Sequence, residues 1–175
     1  MLKNILIFII LVLVIFFNIS FLSEFTWWQQ NVNSILIIAM VLLLAMRLRQ
    51  YLVWISIVGL IADTYSGFGF GAITLSLILT SLIAYILYVN YFSHHTSLVL
   101  VILMAIQVLT YGLLLAAFTR LFYFIGFNAF YIQINSEYIF FIARQIIFSC
   151  FIFVILYVFF NRLFSNFRER FIINR

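Results

Sequence analysis

Long apolar runs separated by short polar stretches organise the whole chain. They predict helical segments over 2–22, 34–46, 51–66, 72–92, 98–118 and 138–160. A helix rising 1.5 Å per residue needs roughly 20 apolar residues to cross a bilayer, and several of these runs approach or exceed that length. The breaks between them carry the polar residues: Glu24, Trp27 and Trp28 after the first, Arg47-Leu48-Arg49-Gln50 after the second, and Ser93-His94-His95 after the fourth. The expected fold is all-α, a polytopic integral membrane protein built as a six-transmembrane-helix bundle. It spans 1–162 and is followed by a basic cytoplasmic tail over 163–175. Two stretches stand apart from this division. The region 121–134 is rich in Phe, Tyr and Ile but is broken by Gly126, Asn128 and Gln133, and it reads as a surface helix, a shallow re-entrant segment or an extension of the fifth helix. The stretch 67–71 is long enough only for a tight turn. With no proline in the chain, any bend must rely on glycine.

Composition supports the membrane reading. The chain of 175 residues is 68% hydrophobic and 7% charged, with a mean hydropathy of +1.30, whereas a soluble domain has about a quarter of its residues charged. The single cysteine, Cys150, excludes a disulfide framework. No small-residue cleavage site follows the first apolar run, so a signal peptide is the weaker reading of it and a helix the stronger. The net charge of +5 does not point to nucleic acid, because the basic residues sit at segment ends or in the tail. Six crossings with a cytoplasmic N-terminus place Lys3, Arg47, Arg49 and the C-terminal arginines Arg162, Arg168, Arg170 and Arg175 inside. Arg120 alone then lies outside, as the positive-inside rule requires. Both termini are expected in the cytoplasm.

Asp63 is the residue that this frame does not explain. A carboxylate within an apolar segment is costly unless it is paired, neutralised or hydrated. It lies about twelve residues after Tyr51, roughly 18 Å along the helix, in the outer half of a hydrocarbon core of ~30 Å. Arg144, about six residues into the last segment, reaches an overlapping depth, so an Asp63–Arg144 pair is one reading, with Glu137 and Arg120 at the outer boundary as rival partners for Arg144 and Asp63. The other has Asp63 fastening the turn, with Thr64, Tyr65 and Ser66 as nearby donors. Gly59 would then serve helix packing, and Gly67 to Gly71 the turn. No second carboxylate lies within the apolar segments to complete an acid–base pair, and no nucleophile is accompanied by a base, so the chain is not expected to be an enzyme. Adjacent His94 and His95 diverge on a helix and lack further ligands nearby. No metal or cofactor is expected. Gln107, with Thr110 and Tyr111, is a candidate for hydrogen bonding between helices.

The stretch from Gly59 through Asp63, Ser66 and Gly67 to Gly71, followed by the apolar run through Tyr91-Phe92, resembles the rod shape-determining MreD family. The chain length, the basic residue before the first segment and the basic tail agree with it; Asn31-Val32-Asn33-Ser34 stands where such chains often carry a proline. The resemblance implies a non-enzymatic, multi-pass component of the bacterial inner membrane, acting in the cell-elongation machinery that makes peptidoglycan and keeps cells rod-shaped. Its implied partners, besides membrane lipid, are an MreC-like scaffold, an MreB-like filament and a glycosyltransferase–transpeptidase pair. Gly59, Asp63, Ser66, Gly67 and Gly71 would form its structural or interface motif. That family is in turn similar in fold to the substrate-binding subunits of energy-coupling-factor vitamin transporters, six-helix proteins of this size and the alternative reading. That alternative needs an outer polar rim, for which only Asn128, Gln133, Asn135, Glu137, Thr64 and Tyr65 are at hand. It also favours small residues on the first helix, where this chain has no alanine or glycine.

Overall fold

A computed structural model describes residues 31–91, 97–128 and 130–163, which form five helices in chain order. They are α1 (Ser34–Ala45), α2 (Leu48–Tyr65), α3 (Ala72–Tyr91), α4 (Ser97–Ile125) and α5 (Ser136–Leu163). Helices are the form in which an apolar run can satisfy every backbone N–H and C=O internally, which lipid demands. Three of the five are long and apolar enough to cross a membrane, over Ala72–Asn90, Leu98–Ile125 and Ser136–Val158. The chain is a multi-pass helical membrane protein.

The expected bundle of six crossings is therefore corrected to three spanning helices among the described residues. Two of the expected segments fail for physical reasons. α1 has 12 residues and reaches only about 18 Å. α2 has 18 residues, but Arg49 and Gln50 at one end and Asp63 near the other dilute its apolar run. The segment 2–22, His94 and His95, and the tail beyond 163 lie outside the described residues.

Consecutive helices from α2 to α5 pack side by side, and α1 lies against α2, α4 and α5. The hydroxyl of Tyr138 on α5 donates to the Gly112 carbonyl of α4 at 2.8 Å. Cys150, further along α5, reaches back to the Val101 carbonyl, so these two helices run antiparallel. α1 begins half-way along α5, where the Asn33 N–H donates to Ser149 Oγ at 3.1 Å. Asn33 also caps α1, its side-chain oxygen accepting from the Leu36 N–H, as an N-cap asparagine does. α1 thus acts as a half-height core element. Its Leu36, Met40 and Leu43 are buried with Ile55 of α2, Leu77 of α3, Met104 of α4 and Phe153 of α5.

α4 runs past the expected end at 118 to Ile125, which decides among the three readings of 121–134. It is an extension of the fifth expected segment followed by irregular backbone. The helix stops where Gly126 takes a φ of +85°, and the Phe127 N–H bonds back to the Phe122 carbonyl at 2.9 Å. Together these form a Schellman C-cap. The chain then folds back over the helix end, with the Ile132 N–H donating to the buried Thr119 hydroxyl.

This arrangement predicts the labelling of single cysteines placed in a Cys150→Ser background. A cysteine at Leu109, mid-way along α4, should resist a water-soluble maleimide. Cysteines at Ser97 and Asn128, flanking the same helix, should react from opposite faces of the membrane. Labelling of both flanks from one face would contradict α4 as a crossing.

Candidate functional site

α3 begins with an N-cap residue that has no side chain. Gly71 adopts a φ of +98°, a left-handed conformation that suits glycine, and its carbonyl accepts the first helical bond from Leu75 N–H at 2.9 Å. The first N–H groups of a helix lack partners within it and are ordinarily met by a Ser, Thr, Asn or Asp at the cap. Here the acceptor comes from the preceding helix. Asp63, 3% exposed, places Oδ1 at 3.0 Å from the Ile73 N–H and Oδ2 at 3.1 Å from the Thr74 N–H. The Thr74 hydroxyl donates to the same Oδ2. A carboxylate at a helix N-terminus also sits at the positive end of the helix dipole. Its charge is met by three directed donors, which is how a buried acid becomes tolerable.

The close approach this requires is set one helical turn earlier. A Cβ on Gly59 would lie 2.8 Å from Thr74 Cα, inside any normal contact with backbone. Gly59 and Asp63 share one face of α2 at the spacing of a single turn, so the glycine lets α3 come near and the acid seizes its end. Ser66 closes α2, its N–H and hydroxyl both donating to the Asp63 main-chain carbonyl at 3.3 and 3.1 Å. Gly67 packs beneath the Phe130 ring. Phe68 meets Phe130 with ring centroids 5.7 Å apart, so the segment after α4 lies over the turn. A shallow aromatic pocket at this end is lined by Phe70, Phe122 and Phe127.

Gly59, Asp63, Ser66, Gly67 and Gly71 thus fall in one hairpin. The expected partner Arg144 is not among them, and this is a correction. Arg144 is exposed on α5, whereas Ile142, Gln145, Ser149 and Phe153 form that helix's buried side. Both oxygens of Asp63 are committed to Ile73 and Thr74, so its charge is met by a helix end in place of a guanidinium. The donors also differ from those expected at the turn. Thr64 donates to the Ile61 carbonyl and Ser66 to the Asp63 carbonyl, leaving the carboxylate to the next helix. Thr74 is the residue sequence reasoning passed over. Its signal was a threonine three places after Gly71, the N3 position of a helix that lacks a capping side chain.

Other polar residues divide differently. Arg120 stacks over Phe124 and Tyr131, 5.9 and 6.0 Å from the ring centroids, and Glu137 is exposed at the start of α5. Gln107 is 1% exposed and its amide meets no hydrogen-bond partner among the described residues. Thr110 bonds to its own helix, at the Ile106 and Gln107 carbonyls. Among the described residues no cluster of three His, Cys, Asp or Glu side chains is suited to a metal.

Fold and site together define a membrane protein in which the one buried acid among the described residues joins two helices. No family model, curated protein or solved structure matches the chain.

Removing the carboxylate strands two buried N–H groups, each costing about 1–3 kcal/mol. Asp63→Ala should therefore destabilise the protein by about 3 kcal/mol, seen as a lower thermal midpoint in detergent. Thr74→Val should cost about 1 kcal/mol, and less than that in an Asp63→Ala background. Additive losses would mean the two residues act separately. At Gly59, alanine gains about 1 kcal/mol of helix propensity but must push α3 away, at a cost of about 1–3 kcal/mol. Gly59→Ala should thus be mildly destabilising, and Gly59→Leu should fail to accumulate as folded protein in the membrane.

Proposed function

We propose that the chain is a non-catalytic assembly subunit of the bacterial inner membrane, acting in the cell-elongation machinery that builds peptidoglycan and maintains a rod shape. One observation carries this reading. The acid that would be the natural candidate for chemistry has both oxygens bonded to the start of α3, so its work is architectural. The glycine-and-aspartate stretch that resembles the MreD family, Gly59 to Gly71, is the same stretch that makes this hairpin.

An assembly subunit of this kind works by presenting helix faces and loop ends to neighbours. Its partners are of the MreC-like scaffold, MreB-like filament and glycosyltransferase–transpeptidase kinds, held in a shared lipid environment. The positive-inside rule puts the end of the bundle that carries Arg47 and Arg49 at the cytoplasm, and the covered 66–71 turn at the opposite face.

Depletion in a rod-shaped bacterial host should turn rods into spheres, and wild-type protein supplied in trans should restore them. Chemical cross-linking in native membranes followed by purification should recover cell-wall synthesis proteins. Recovery of an ATPase pair with a bound vitamin, and unchanged cell shape on depletion, would contradict the reading.

A further inference from the structure

We propose that the outward face of α5, centred on Arg144, docks a membrane-spanning helix of another protein that carries one carboxylate at the depth of Arg144. This rests on the assembly reading above and gives it a surface. Arg144 lies eight residues into α5, about 12 Å below Ser136, inside the span Ser136–Val158. It is exposed, on the side turned away from the buried Ile142, Gln145 and Ser149. A cation at that depth is costly and is ordinarily paired. Snorkelling serves residues close to helix ends, and Arg144 is more than two turns from this one.

No carboxylate among the described residues is available to it. Asp63 is buried and bonded to Ile73 and Thr74. Glu137 sits two turns nearer the surface on the same helix, roughly 10 Å away along the axis. The counter-charge must therefore come from outside the described residues; the chain's other acids, Glu24 and Glu169, follow the apolar runs 2–22 and 138–160 instead of lying within them, which leaves an acid in the spanning segment of another protein.

The surroundings of Arg144 suit a helix. Phe140, Arg144, Ile147, Phe151, Val154 and Val158 alternate spacings of four and three, and all are exposed. Phe140, Ile147 and Phe151 expose 70%, 65% and 63% of their surface. A repeat of 3.5 residues keeps one seam facing a partner helix along its length, here over about 27 Å. A second copy of this chain fits poorly. A two-fold axis along the membrane normal sets equal residues at equal depth, so Arg144 would oppose Arg144, and like charges opposed in an interface select against that pairing. A foreign helix with an apolar seam and one Asp or Glu meets both requirements.

Site-specific photo-cross-linking in native membranes tests this on the full-length chain. A photoreactive residue at Ile147 or Phe151 should give an adduct with one membrane protein, and the same residue at Leu79 on α3 should not. The cross-linked helix should contain an Asp or Glu within its spanning segment. Arg144→Gln should lower the adduct yield about tenfold, as should the amide substitution of that acid. Arg144→Glu combined with arginine at the partner's acidic position should restore it, which separates pairing from misfolding. Adducts with lipid alone, with a second copy, or with a helix lacking a carboxylate would overturn the proposal, as would a yield indifferent to Arg144→Gln. If α5 labels only lipid while cell-wall synthesis proteins still co-purify, the surface falls and the assembly reading stands. An acid-bearing partner from outside cell-wall synthesis would support the surface and contradict that reading.

Discussion

The hairpin of α2 and α3 depends on a helix cap supplied by the wrong helix. Gly71 provides the left-handed turn into α3 but no side chain to meet the helix's first N–H groups, and Asp63 supplies the missing oxygens from across the turn. In water such a cap contributes about 1 kcal/mol, and solvent is there to replace it. Within a buried, largely apolar bundle the alternative is unpaired donors and an unpaired acid together. The interaction is thus more necessary than its value at a protein surface would indicate, and it fixes the two helices in one register.

Other features depend on that register. Gly59 meets Thr74 backbone only because Asp63 holds α3 one turn further on. Tyr51 and Ile55, on the same buried side of α2, then meet the core that α1 fills from half-way up the bundle. At the other end Phe68 becomes available to Phe130, and the chain after α4 settles over the turn through Thr119. The buried acid, its glycines and the folded-back segment form one connected unit. Arg144 belongs to no part of it. The two charges that share a depth in the sequence have separate roles, one joining helices inside the bundle and the other facing out of it.

Much of this was legible in the residues. Unbroken apolar runs without proline set the helices, and the described helices begin and end close to where the runs do, except that α4 continues past 118 to Ile125. The hairpin residues were visible as glycines around an isolated acid. What was not legible were relations between helices. Hydropathy measures a run against water or lipid and says nothing of neighbours, so α1, apolar throughout, read as a short crossing when it is a half-height core helix capped by Asn33. Depth along an axis placed Asp63 and Arg144 together, but depth omits rotation. Arg144 follows Ile142 by two positions, about 200° around the helix, which turns it away from the bundle. Thr74 was hidden because a threonine in an apolar run looks unremarkable until an acid eleven residues earlier is seen to reach it.

The central claim is that the Asp63 carboxylate is the N-terminal cap of α3. Amide hydrogen exchange resolved to single residues, compared between wild type and Asp63→Asn in the same membrane mimetic, tests it most directly. The capping account predicts strong protection of the Ile73 and Thr74 amides in the wild type. In the variant that protection should fall at least about tenfold at those two amides, with α4 unchanged. Equal protection in both proteins would contradict the cap, and so would a loss spread evenly through α3, α4 and α5.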